Sequence, residues 1–336
     1  MGVNLKDLLI RKPIALDDLS GKALVVDGNN MLYQFLSTIR QRDGALFTDP
    51  QGRVTSHLIG LFSRVSNLMQ KNIKLAFVFD GEVPKLKHQE LQRRREAKEE
   101  AQKKYDEALE QGDQEGMKAY AGRTSRLTRE MIAEATELLT GLGLPVVQAA
   151  SEGEAQAAQL VKEGQAWSVS SQDYDSLLFG APHLIQNLSI EGRRKVPGKL
   201  EYAKVEPLLL NLQENLSALQ LSQEQLIWLG ILVGTDYAPS GVKGIGPKKG
   251  LALVKQHKAA DSLFKDLKLE EDVNWRDVLD VFQNMPVKKG IKLEWSRVDR
   301  ARVEDFLIER AFGKDRVEKV LDALAPAKNQ KSLGDF

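Results

Sequence analysis

Residues 151–180 read S-E-G-E-A-Q-A-A-Q-L-V-K-E-G-Q-A-W-S-V-S-S-Q-D-Y-D-S-L-L-F-G, an Ala-rich helix leading into a short apolar strand. That is half of a βαβ unit, and such units build parallel sheets. The stretch also sets out two acidic pairs. Glu152 and Glu154 stand in the turn that opens the helix, and Asp173 and Asp175 follow the apolar run 166–169. In open parallel sheets, ligands gather in the crevice at the carboxyl ends of the strands. Both pairs are expected at that rim. Four carboxylates meeting there would repel, and some would hold protons unless cations neutralised them. Their hard oxygens suit Mg²⁺ or Mn²⁺ better than zinc. An isolated E-x-E or D-x-D is more often a solvated helix start or a turn, so the metal reading needs further acids at the same rim.

Other parts of the chain supply them. Residues 23–26 read as a buried strand ending in Asp27 and turning into a helix; Asp27 fits either a metal ligand or an Asx-type helix cap. Residues 55–70 place apolar side chains at helical spacing, and the strand 75–79 after them ends in Asp80-Gly81. Two strands therefore finish in two apolar residues followed by Asp-Gly, which capping alone does not explain. Residues 127–142 predict an amphipathic helix and 145–148 a strand. The helix 222–233 opens with the capping-box pair Ser222 and Gln225 and is apolar nearly all round, hence buried. It delivers Asp236 to an inner position, where a charge is costly unless a cation or donors compensate.

Basic residues cluster locally. Residues 84–129 carry Lys85, Lys87, Arg93, Arg94, Arg95, Lys98, Lys103 and Lys104 with few large apolar side chains, so one or two helices stand off the core. Lys87 and Arg94 are seven apart and share a helix face. They read either as part of a solvated charged helix or as a basic gate over the acidic rim. The loop 192–195, between strands expected at 184–190 and 198–205, reads as an exposed hairpin tip. Residues 241–255, G-V-K-G-I-G-P-K-K-G-L-A-L-V-K, form a glycine turn with Pro at the first helical position. Lys243, Gly244, Gly246, Lys248 and Lys249 suit a helix-hairpin-helix-like phosphate clamp. Residues 259–325 form a helical region with Trp275, Val278, Val281, Phe282, Phe306, Leu307 and Phe312 as its core. The end after Pro326 is polar and expected to be disordered.

Composition narrows the classes. The net charge of the 336 residues is only +1, so any hold on nucleic acid comes from these local patches. The chain has no cysteine, which removes disulfides, thiolate zinc sites and cysteine nucleophiles and fits an intracellular protein. No apolar run approaches the roughly 20 residues of a membrane span.

In order, V-D-G-N-N-M-L-Y, V-F-D-G, E-G-E-A-Q-A-A, S-S-Q-D-Y-D-S-L-L-F-G, G-T-D-Y and G-I-G-P-K-K-G make a chain that resembles the flap endonucleases, of archaeal type, within the structure-specific 5′ nucleases. The resemblance implies an α/β fold: a PIN-like, mainly parallel sheet flanked by helices, with a helical arch insertion and a helix-hairpin-helix-like DNA-binding region. It implies one nuclease unit over 1–325, with 1–84 and 127–236 as core, 85–126 as arch and 237–325 as duplex-binding region. The flexible tail 326–336 would carry a sliding-clamp motif in Gln330, Leu333 and Phe336, although a second aromatic is missing. It assigns Asp27, Asp80, Glu152, Glu154, Asp173, Asp175 and Asp236 to two Mg²⁺ ions, for which Mn²⁺ can substitute. Lys87 and Arg94 would contact the scissile phosphate as catalytic residues with Asp175. Tyr33 would stack on a terminal base, Arg40 would join the DNA contacts, and K⁺ would assist the Gly244–Lys249 turn. Gly2, exposed by loss of Met1, would lie near the site.

The expected activity is Mg²⁺-dependent cleavage of DNA bearing a 5′ flap, with 5′-3′ exonuclease action, in replication and repair. Two-metal sites perform such in-line displacements. The partners are branched DNA and a sliding clamp, with no membrane, and the chain is expected to be a monomer. It would be cytoplasmic and nucleoid-associated if archaeal, nuclear if eukaryotic. The rival readings are a PIN-type ribonuclease, which lacks the duplex clamp, and a non-catalytic clamp-recruited DNA-binding scaffold, which would have no use for seven repelling acids. A phosphatase with an Asp nucleophile is disfavoured, because the first strand gives D-G-N without a second Asp two residues on.

Overall fold

Leu24, Val25 and Val26, and the run from Leu75 to Phe79, are buried throughout, as central parallel strands require. The structure, a computed structural model, describes residues 2–188, 193–195, 202–269 and 273–325. Its main sheet contains β1 (Lys12–Pro13), β2 (Ala23–Asp27), β3 (Lys74–Phe79), β4 (Val146–Gln148), β5 (Ser168–Ser170) and β6 (His183–Gln186). A separate antiparallel ribbon follows, β7 (Arg193–Lys195) with β8 (Tyr202–Lys204), and β9 (Leu208–Asn211) then returns to the main sheet. The seven strands lie in the order β1-β9-β6-β5-β2-β3-β4. From β6 to β4 every pairing is parallel, and β9 and β1 add an antiparallel edge. Val26 pairs with both Phe77 and Ser170, so the central strands end level with one another.

Strand side chains alternate between faces, and the two cores follow that alternation. Leu24, Val26, Leu75, Phe77 and Phe79 face one cluster, and Val25, Ala76, Val78 and Val169 face the other. The first face is covered by α1 (Gly28–Thr38) and α2 (Ser56–Gln70). The chain then leaves the sheet through α3 (His88–Glu110) and α4 (Gln114–Ala121), which pack on each other, and returns as α5 (Arg129–Gly141) on the first face. Across the sheet lie α6 (Gly153–Lys162), α7 (Asp175–Leu178), α8 (Leu212–Leu219) and α9 (Gln223–Val233). Behind α9 stand α10 (Pro247–Gln256), α11 (Ala260–Phe264) and α12 (Trp275–Asn284), while α13 (Arg300–Glu309) and α14 (Lys314–Leu324) cross back to α5 and α2.

Several expectations shift in detail. The strand foreseen at 166–169 is Ser168–Ser170, because Trp167 N–H already bonds to Ala23 O and the serines complete the ladder. The strand foreseen at 184–190 is His183–Gln186, and the basic run expected as a hairpin tip is itself a strand, Arg193–Lys195. Of the strand foreseen at 198–205, residues 198–201 lie outside the described residues and Tyr202–Lys204 form a strand. The edge formed by β9 and β1 was not foreseen; P-L-L-L-N-L-Q runs straight into α8 with no turn signal between them. The stretch 237–325, read as one helical region, divides between the two faces. No helix among the described residues is long and apolar enough to cross a membrane.

Candidate active site

The two Asp-Gly strand ends have a steric cause. A Cβ on Gly28 would lie 2.5 Å from the Phe79 ring, and one on Gly81 would lie 2.2 Å from Ala149 O. Real Cβ atoms do not approach that closely, so glycine lets each strand end close onto its neighbour and brings its aspartate to a shared rim.

Asp27 turns out to be both cap and site acid. Asn30 N–H donates to its Oδ1 at 3.0 Å, while Oδ2 accepts from Ser171 Oγ at 3.2 Å. Asp80 Oδ1 accepts Gly153 N–H at 2.8 Å, tying the end of β3 to the start of α6. Glu152 caps α6, and Glu154 sits in its first turn, within 3.4 Å of the same Ser171 hydroxyl. Asp173 Oδ2 accepts from Asn30 Nδ2 at 2.9 Å, and Asp175, which opens α7, accepts Val3 N–H at 2.8 Å. Asp236 follows the buried helix α9 and is itself buried.

These acids feel one another. Burial, then Asp80 and Asp173, push the Asp27 carboxyl up to about 7. Burial and then Asp236 do the same to Asp175, also to about 7. Glu154 is held well above the carboxylate range by burial and by Asp175, Asp173 and Asp27. Glu152 is raised by burial, with Lys87 opposing. Burial and then these acids also keep the Tyr237 hydroxyl protonated. All seven predicted ligands thus belong to one electrostatic cluster. Among the described residues, no three histidines, aspartates or glutamates stand at a spacing that would itself hold a metal ion. Two bases, at the end of the 3₁₀ turn before α3 and in α3 itself, take up part of the charge instead.

Lys87 Nζ donates to Glu152 Oε2 at 2.6 Å and lies 3.2 Å from Asp236 Oδ2. Burial alone would lower the Lys87 ammonium, yet Glu152 and Asp236 hold it above its ordinary value. Arg94 Nη2 pairs with Asp236 Oδ1, and its Nε with Glu90. Lys87 does not lie within α3 as the seven-residue spacing suggested; it ends a 3₁₀ turn and caps the helix. Both bases still reach the same aspartate.

The remaining candidates are spread over the surface around this rim. Tyr33, on α1, is exposed, with Lys98 Nζ 4.6 Å above its ring. Arg40 is engaged within the protein: its Nε and Nη atoms donate to Leu36 O, Gly44 O and Ser125 Oγ at 2.8, 2.7 and 2.9 Å. It braces α1 against the segment that follows α4. Lys243, Gly244, Gly246, Lys248 and Lys249 are exposed around the turn into α10, whose first turn has no side-chain cap. Gln330, Leu333 and Phe336 lie outside the described residues. Sequence reasoning missed Asn30, Ser171, Tyr237 and Glu90. The first three flank predicted acids in D-G-N-N, S-S-Q-D and T-D-Y, where adjacency was the available signal.

Comparison with known proteins agrees along the chain. Residues 1–101 match the XPG N-terminal domain and residues 143–236 the XPG I-region. Flap endonuclease 1 of Staphylothermus marinus is 47% identical over 344 residues, covering 99% of this chain and 98% of that protein. The Pyrococcus furiosus protein of the same name is 48% identical, covering 97% and 96%. The solved flap endonuclease-1 of Methanococcus jannaschii aligns with a TM-score of 0.75 at 40% identity, covering 96% of this chain and 98% of that one. The catalytic core of Rad2 in complex with DNA substrate, at 23% identity and TM-score 0.71 over 97% of this chain and 100% of that one, shares the fold. With near-complete coverage at this identity, the chain belongs to the flap endonuclease family.

Proposed function

We propose that this chain is a structure-specific DNA endonuclease, with 5′-3′ exonuclease activity, that removes 5′ flaps during replication and repair. The observation that carries the reading is the charge imbalance at the rim. Seven acids from separate stretches converge on one crevice, and the two cations set among them, Lys87 and Arg94, come from the arch. The donors are hard carboxylate oxygens, and burial and then mutual repulsion raise the carboxyls of Asp27, Glu154 and Asp175, which a cation would relieve. That donor set fits Mg²⁺ or Mn²⁺. Asp27, Asp80, Glu152, Glu154, Asp173, Asp175 and Asp236 would hold two such ions, which when bound supply Lewis acidity for displacement at phosphorus.

The chain's own residues do the rest. Lys87 leaves Glu152 and Asp236, and Arg94 Nη2 leaves Asp236, for the oxygens of the scissile phosphate, where both offset the charge that grows. Tyr33 offers an exposed ring for a terminal base to stack on. Backbone N–H groups at the start of α10, with Lys243, Lys248 and Lys249, grip the duplex backbone, and K⁺ assists at the turn. Residues 85–126 act as the arch and 237–325 as the duplex-binding region of one unit, a monomer. The tail residues Gln330, Leu333 and Phe336 engage a sliding clamp.

On a 5′-flap DNA with Mg²⁺, cleavage should fall at the junction and leave 5′-phosphate and 3′-hydroxyl ends. Asp236→Ala should cut at least about 10²-fold more slowly. Cleavage by that variant at the wild-type rate would refute the assignment of the rim. Preference for an RNA of the same sequence would favour the ribonuclease reading instead.

A further inference from the structure

Glu90 is the one acid of the arch that is buried, at 3% exposure. It sits in the first turn of α3, and both of its oxygens face guanidinium groups: Oε1 accepts from Arg94 Nε at 2.7 Å, and Oε2 lies 2.8 Å from Arg93 Nε. Other acid–base pairs on the same helix look different. Glu99 with Arg95 and Glu100 with Lys104 have the same four-residue spacing, but their carboxylates are 46% and 67% exposed. Exposed pairs of that kind contribute little. A carboxylate withdrawn from water gives up hydration that such a pair does not repay, so its placement calls for another role.

The geometry points to that role. We propose that Glu90 is a positioning residue that fixes the Arg94 guanidinium by its Nε, so that its Nη edge projects over the acidic rim. Arg94 Nη2 already reaches Asp236 from this anchored pose. An arginine on a free helix face has many rotamers to lose when it meets a phosphate. Glu90 removes most of that loss in advance. Lys87 has no such anchor, since Glu152 and Asp236 hold it directly. Glu90 does not itself face the phosphate, and its charge opposes that of Arg94, so its benefit is geometric.

This inference rests on the reading of Arg94 given above. It is tested by single-turnover cleavage of a 5′-flap DNA with Mg²⁺ at saturating protein, alongside substrate affinity measured in Ca²⁺. Glu90→Ala should slow cleavage about 10- to 100-fold, the scale set by a misplacement of roughly 1 Å, with affinity changed less than about threefold. Glu90→Gln, which keeps an oxygen for Arg94 Nε, should cut within about threefold of wild type. In an Arg94→Ala background, Glu90→Ala should add less than about twofold, since residues acting as a unit are not additive. If Glu90→Ala proves too unstable to assay, Glu90→Asp keeps the charge, shortens the reach by a methylene, and should also be slow.

Slow Arg94→Ala with fully active Glu90→Ala and Glu90→Asp sinks this inference and leaves the reading of Arg94 standing. Fully active Arg94→Ala sinks both. A Glu90→Ala penalty of the same size with and without Arg94 shows that Glu90 acts elsewhere and overturns the proposal.

Discussion

At the carboxyl rim seven acids face Lys87 and Arg94; at the joint of α2, α5 and α13 the acid Glu134 has two bases close by. Arg310 Nε donates to Glu134 at 2.9 Å, and His57, wholly buried, brings its Nε2 within 3.2 Å. Burial would raise the Glu134 carboxyl, but His57 and Arg310 win and hold it low. Asp27 and Asp175 at the rim shift the opposite way. The difference teaches how to read buried charge. A cluster matched within the chain braces helices together, whereas one left short of positive charge is suited to taking up a divalent cation.

The sharpest way to break this contrast is to neutralise one rim acid. Asp175→Asn keeps an oxygen for Val3 N–H and should cut flap DNA about 10²- to 10³-fold more slowly. Its stability should move the other way. A folded Asp175 titrating at about 7 against 3.8 unfolded binds more protons when folded. Its contribution is therefore present below pH 3.8 and lost as pH climbs through 7. Melting of the wild type in EDTA should fall between about pH 4 and pH 7, and Asp175→Asn should flatten that slope and melt higher at pH 8. A wild-type slope in the variant would show that Asp175 is not the strained group.

Adding Mg²⁺ should act on the same imbalance. At 100 times its dissociation constant, a ligand that binds only the folded chain adds about 2.7 kcal/mol. Calorimetry should show an upward shift at pH 7.5 that shrinks at pH 5.5, where protons compete for the carboxylates. Asp175→Asn should lose much of it. No shift in the wild type would remove the rim's claim to a cation.

Glu134→Gln should give the smallest effect, about 1–2 kcal/mol of lost stability at neutral pH. Here the folded carboxyl lies below 4.5, so the stability is present above that value and lost as pH falls beneath it. The variant and the wild type should converge in acid, and their Mg²⁺-induced shifts should match at pH 7.5. Unequal shifts would mean that the two clusters are linked.

Much of this was legible in the sequence because it was local. Strand ends at Asp27 and Asp80, the capping box at Ser222 and Gln225, Pro247 at the first position of α10 and the stand-off character of residues 84–129 each follow from a few neighbours. That chain order resembles a known family made the seven acids a set before any contact between them was visible. The rest depended on distant chain. Nothing around Leu208 announces that it pairs with Lys12 and Pro13, and nothing around Glu134 that His57 and Arg310 lie beside it. Glu90 was hidden differently: among so many charges on one helix, spacing could not separate a buried carboxylate from solvated ones.

Val3 N–H grips Asp175 across 172 residues of sequence, and a Cβ on Gly2 would fall 2.4 Å from the same carboxylate. Residues 2 and 3 therefore serve as a wall of the acidic crevice. A purification handle fused ahead of residue 2 would adjoin that wall, and preparations carrying one should be compared with a carboxyl-terminally tagged version before weak turnover is assigned to the protein.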